Sequence, residues 1–159
     1  MDSYASRLKA HGIELFFHNG TFEAYRHNGK YVLEHMLEQT TDLGFELDCH
    51  WLWRGGMEPT AMIRKFAGRV RILHLKDYRI GLPAADLVIR TAADIAHLEQ
   101  YAEVGEGNLD MPAIVKAGIE SGCEYFMIEQ DDTYGRDVYE SLAISRANLI
   151  KMGYEEWFK

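Results

Sequence analysis

The chain has 159 residues, 47% hydrophobic and 26% charged, with a formal net charge of −8. That length supports a single domain, 1–159, with a proper core, and that composition excludes a disordered chain. The acidic balance argues against nucleic-acid or anionic-membrane partners, and no apolar run approaches the roughly 20 residues that span a bilayer.

The amino terminus does not look like a signal or transit peptide, so a cytoplasmic location is expected. A first strand is predicted at 13–18 (Ile-Glu-Leu-Phe-Phe-His), followed by a polar loop to Glu23 and a turn at Asn28-Gly29. Apolar residues at Val32, Leu33, Met36 and Leu37 have helical spacing within 30–41, and Leu43-Gly44 leads into a second strand at 45–48. Pro59 suits the first turn of a helix running to about Ala67, Gly68 ends it, and a third strand follows at 71–76. The segment 78–107 is less regular and reads as a long loop with some helix around 92–100. A glycine-bearing loop at 103–110 precedes a helix ending near Ser121, the fourth strand is 125–129, and the last helix covers about 136–152. Cys49 and Cys123 form no CxxC pair and read as small buried apolar side chains.

Strands alternating with helices of this length mean a parallel sheet with right-handed crossovers. In such sheets the chemistry gathers at the carboxyl ends of the strands. Here those ends carry His18, Asp48, His74 and Glu129. Side chains alternate along a strand, so His74 and Lys76 share a face opposite Leu73 and Leu75, and Met127 and Glu129 one opposite Phe126 and Ile128. Taken singly, each residue has an ordinary alternative. An aspartate at a strand end is often a helix cap, a lone strand histidine a core or rim residue, Lys76-Asp77 a surface ion pair, and Trp51 and Trp53 a plug over the core. Their joint occurrence at equivalent strand ends points to a site.

Two carboxylates with one or two imidazoles suit a divalent cation: zinc accepts such a mixture, whereas manganese, magnesium and cobalt favour more oxygen. A cation of this kind polarises a carbonyl, and a neighbouring carboxylate moves the proton at the adjacent carbon. Lys76 brings positive charge to a developing oxyanion.

The stretches Phe-His-Asn-Gly-Thr-Phe-Glu at 17–23, Phe-Glu-Leu-Asp-Cys-His-Trp at 45–51, Leu-His-Leu-Lys-Asp at 73–77, Val-Gly-Glu-Gly-Asn-Leu-Asp at 104–110 and Ile-Glu-Gln-Asp at 128–131 together resemble the sugar phosphate isomerase/epimerase family, the xylose-isomerase-like TIM barrels. The resemblance implies an α/β fold, a metal at the barrel mouth, and isomerase or epimerase chemistry on a sugar by proton transfer next to a carbonyl through an enediolate. It assigns Asp48, His74 and Glu129 to the metal and Glu129 to acid/base catalysis, while strand parity with His74 adds Lys76 to the catalytic residues. Glu23, His18, His50, Trp51 and Glu106 fall to substrate binding.

Two departures accompany it. In many members the first strand ends in a glutamate that is both ligand and second base; here that place holds His18. A non-catalytic or partner-dependent sugar-binding half-barrel, or a lyase or hydrolase acting on an oxidised sugar, is the alternative this opens. The other departure is size: a full barrel has eight βα units in about 250 residues. The four units here resemble the carboxyl-terminal half, a partial TIM barrel, which implies self-association or pairing with a missing amino-terminal half. The lack of a recognisable phosphate cradle favours an unphosphorylated sugar. Metal-dependent DNA-repair endonucleases share the barrel, but the acidic charge opposes DNA as substrate.

Overall fold

The computed structural model describes residues 1–81, 88, 90–92, 95 and 98–159. The chain forms two compact units: Met1–Leu75 with Ala113–Met127, and Lys76–Pro112 with Ile128–Lys159. Among the described residues, no helix is long and apolar enough to cross a membrane.

The first unit is built on a parallel sheet in which β1 (Phe16–His18), β4 (Gly44–Asp48), β5 (Val70–Leu75) and β8 (Tyr125–Ile128) lie in that spatial order. This is the predicted parallel α/β arrangement, with the first strand shorter than 13–18 and the others close to their expected bounds. Between β1 and β4 come the short antiparallel strands β2 (Arg26–His27) and β3 (Lys30–Tyr31). Their turn places both Asn28 and Gly29 at positive φ, 50° and 81°. Asn-Gly tolerates that pair best, which is why the dipeptide announces a hairpin.

Helix α2 (Val32–Gln39) begins where Glu34 accepts the Tyr31 N–H at 2.7 Å. Helix α4 (Pro59–Lys65) starts with Glu58 accepting from Thr60 and Ala61 and with proline in its first turn. Two helices went unread in the sequence. The first, α1 (Asp2–Lys9), is polar overall and is held by Asp2, whose carboxylate accepts from Thr41, Asp42 and Leu43 just before β4. The second, α3 (Cys49–Arg54), is a six-residue helix that starts directly at the end of β4.

Phe45, Leu47, Leu52, Ile63, Phe66, Val70, Leu73 and Leu75 are fully buried, and Phe45 meets Phe66 edge to face at 4.8 Å. Each such side chain contributes roughly 1.5–3 kcal/mol by leaving water. The β4–β5 ladder slips by one residue: Phe45 pairs with Val70, but Glu46 pairs with Ile72 and Asp48 with His74. Arg71 is the extra residue, and its guanidinium reaches Glu14 and Glu124.

In the second unit, β6 (Asp77–Ile80) and β7 (Glu99–Ala102) form an antiparallel pair, Asp77 opposite Ala102. A loop was expected over 78–107, with helix around 92–100. Instead 78–80 and 99–102 are strand; Ala92 and Ile95 are helical, and 93–94 and 96–97 lie outside the described residues. Asp77 is fully buried and accepts four backbone N–H groups, from Tyr78, Gly105, Gly107 and Leu109, at 2.8–3.1 Å. That single carboxylate folds the glycine-bearing loop around itself. Burial pushes its pKa up, against the pull of those donors. Helix α6 (Val138–Lys151) is capped by Asp137, and its Ser145 and Asn148 bond the Val104 backbone. Helix α5 (Met111–Glu120) leads from the second unit back into the first.

Candidate metal centre

The carboxyl ends of β1, β4 and β5 carry His18, Asp48 and His74. Each offers a ligand atom within 4.8 Å of the other two. His18 Nε2 lies 3.7 Å from Asp48 Oδ2, and His74 Nδ1 lies 4.0 Å from the same oxygen. Two ligands bound at about 2.1 Å to one tetrahedral ion stand about 3.4 Å apart, so both pairs lie within a few tenths of an ångström of the spacing a shared cation would need. The imidazole rings have centroids 4.8 Å apart, tilted by 50°.

Local structure aims the carboxylate. Asp48 Oδ1 accepts the His50 and Trp51 N–H groups at 2.8 and 3.0 Å, capping α3. Its other oxygen, Oδ2, is the one near both imidazoles. Asp48 is thus a helix cap and a ligand candidate at once, roles the sequence reading had set against each other. Behind it, fully buried Asn19 ties the ends of β1 and β4 together: its Oδ1 accepts the Asp48 N–H at 2.8 Å, and its Nδ2 donates to the Asp48 carbonyl at 3.4 Å.

Neither Asn19 nor Glu46 was singled out from the sequence. Glu46 lies two residues before Asp48, and its Oε1 is 2.5 Å from His74 Nε2. Strand parity, which puts residues i and i+2 on one face, was the signal for Glu46. No local signal marks Asn19.

The remaining predicted residues of the first unit have structural surroundings. Glu23 accepts the Gly20 N–H at 2.8 Å within its own turn. His50 is fully buried against the rings of Trp51 and Trp53, with centroids 4.8 and 6.0 Å away. Trp51 is half-buried, with the Arg54 guanidinium over its ring at 5.8 Å.

In the second unit, Lys76 is only 2% exposed, so its ammonium needs partners. It has Asp131 at 2.6 Å, Glu129 at 3.4 Å and the face of Tyr101 at 5.2 Å. The alternative of a surface ion pair between Lys76 and Asp77 gives way to two separate buried roles. Burial and a hydrogen bond with Asp131 raise the Tyr101 pKa. Glu129, half-buried, is the residue next after β8. Glu106 accepts from Asn148 at 2.8 Å and lines a cleft of about 300 Å³ with Arg79, Glu103, Arg136 and Lys151.

A parallel β/α sheet with polar groups at its strand ends is the architecture of a partial TIM barrel. Solved structures similar to this chain include proteins described as sugar phosphate isomerase/epimerases, a xylose isomerase domain protein and an L-ribulose 3-epimerase. A sugar phosphate isomerase/epimerase from Parabacteroides distasonis ATCC 8503 is 25% identical with a TM-score of 0.67, over 89% of this chain and 46% of its own. A xylose isomerase domain protein from Planctomyces limnophilus is 20% identical with a TM-score of 0.65, over 95% of this chain and 49% of its own. An L-ribulose 3-epimerase is 16% identical with a TM-score of 0.61, over 95% of this chain and 50% of its own. The chain therefore has the fold of xylose-isomerase-like barrels and spans about half their length. No protein-family model and no curated protein matches it in sequence.

Proposed function

We propose that this chain is the metal-binding half of a sugar isomerase or epimerase that transfers a proton at the carbon next to a carbonyl. The observation that carries this reading is the set His18, Asp48 and His74, with ligand atoms within 4.8 Å at three adjacent parallel strand ends. Two imidazoles and a carboxylate are a donor set that zinc, cobalt or manganese accepts. Glu129, next after the fourth strand of the same sheet, is proposed as a further ligand and as the carboxylate that takes and returns the proton. When bound, the cation would polarise the sugar carbonyl. Lys76 holds a positive charge 3.4 Å from Glu129, where it is proposed to offer a counter-charge to a developing oxyanion. Trp51, Glu23 and Glu106 are proposed to bind the sugar, an aromatic face stacking on it and carboxylates accepting its hydroxyl protons, with buried His50 supporting Trp51 from behind.

The test supplies Mn²⁺ or Co²⁺ and follows deuterium uptake at sugar C–H positions. Uptake that disappears in Glu129→Gln is the expected outcome; no exchange with any keto- or aldo-sugar removes the enzymatic reading. A second reading, a sugar-binding half-barrel that acts only with another half, is favoured by the chain covering 46–50% of these relatives. Parallel sheets are rarely left with open edges. Mass in solution separates the cases: a dimer supports pairing of copies, and a well-behaved monomer with full exchange activity removes the need for a partner.

A further inference from the structure

Glu46 stands opposite His18 in the β1–β4 register, and its side chain is one-quarter exposed (25%). The inward face of β4 thus presents two carboxylates, Glu46 and Asp48, to the same ring of His74 from its two nitrogens. Glu46 Oε1 is 2.5 Å from Nε2, and Asp48 Oδ2 is 4.0 Å from Nδ1. The first distance is a hydrogen bond and the second is not. A carboxylate accepts and does not donate, so the bonded nitrogen carries the ring proton and the other keeps its lone pair.

We infer that Glu46 is a positioning residue: it holds His74 as the Nε2–H tautomer and fixes the ring rotation, so that Nδ1 is the atom offered to a divalent cation. Only the naming of a cation rests on the functional reading above; the hold on the ring stands on the hydrogen bond. Carboxylates behind ligating histidines are a general device, and removing one commonly weakens metal binding 10–100-fold. The ladder slip gives the arrangement a structural origin. It pairs Glu46 with Ile72 and Asp48 with His74, which sets the two carboxylates at either end of one imidazole.

The test uses the full chain, with Co²⁺ as probe, in wild type, Glu46→Gln and Glu46→Ala. Long-range ¹H–¹⁵N spectra at about pH 8 report which ring nitrogen of His74 is protonated, the signal being assigned by its loss in His74→Gln. The expected results are an Nε2–H tautomer in the wild type, mixed tautomers in Glu46→Ala, and Co²⁺ binding weakened about 10–100-fold in that variant. Glu46→Gln, whose amide oxygen still accepts the ring N–H, should keep the tautomer and lose less affinity. A wild-type ring protonated on Nδ1, or Glu46→Ala affinity within about threefold of wild type, overturns the proposal. Wild-type protein that takes up no Co²⁺ overturns the metal reading, while its nitrogen spectrum, recorded without metal, still decides whether Glu46 holds the ring.

Discussion

Asp48 and His74 stand opposite each other across β4 and β5 because the ladder slips by one residue between Phe45 and Glu46. With the register of Phe45 and Val70 continued unchanged, Asp48 would face Leu73, a fully buried core residue. A one-residue shift sends side chains to the opposite face of a sheet. The slip therefore puts an imidazole, and not a leucine, beside the carboxylate.

The two Asp48 oxygens have separate tasks, which substitution can pull apart. Asp48→Asn keeps an oxygen for the His50 and Trp51 N–H groups but removes the charge near the imidazoles. It is expected to melt close to wild type and to lose bound metal. Asp48→Ala should also lose the cap, at about 0.5–2 kcal/mol. Metal content per chain and thermal unfolding check both; full metal occupancy in either variant would exclude Asp48 as a ligand.

Asn19 predicts a loss of stability. Removing its side chain in Asn19→Ala leaves the buried Asp48 N–H without the acceptor it has at 2.8 Å. An unsatisfied buried group costs about 1–3 kcal/mol. Denaturant unfolding should show a lower midpoint with an unchanged slope, because the exposed surface is the same.

At Gly107, an added Cβ would sit 2.3 Å from both the Asp77 carboxylate and the Tyr78 carbonyl. The latter is backbone and cannot swing away. Gly107→Ala should thus displace the 103–110 loop from Asp77 and cost on the order of 2–3 kcal/mol in unfolding experiments. An alanine variant as stable as wild type would mean the loop accommodates the methyl group.

Acid stability should depend on Glu103. Burial works against its ionisation, but its own backbone N–H, the Ser141 hydroxyl, and Arg136 and Arg79 outweigh that and hold the carboxyl below its ordinary value. A carboxyl lowered in the folded state stabilises the fold above the unfolded-state pKa, and this contribution fades as pH falls toward the folded value. Stability should accordingly drop from about pH 5 downward, and the drop should be shallower in Glu103→Gln. Parallel slopes in the two proteins would place the acid sensitivity elsewhere.

What could be read along the chain was whatever short-range pattern encodes. Alternation and strand-end polarity announced four parallel strands and put His18, Asp48 and His74 at their ends, and Asn28-Gly29 announced its hairpin. The helix spacing of 30–41 and the proline at 59 marked α2 and α4, because caps and apolar periodicity act within a few residues. Partners set by long-range register left no such trace. Glu46 meets His74 across 28 residues, Asn19 meets Asp48 across 29, and Asp77 gathers a loop about 30 residues downstream. Likewise α3 is too short for periodicity to reveal, and parity put Lys76 on the face of His74 without showing its partners Asp131, Glu129 and Tyr101. Residue types and their spacing determined which groups this protein can bring to a strand end. Which atoms of those groups face one another was decided by the ladder slip and by burial, since both depend on strands and loops that meet only when the chain is folded.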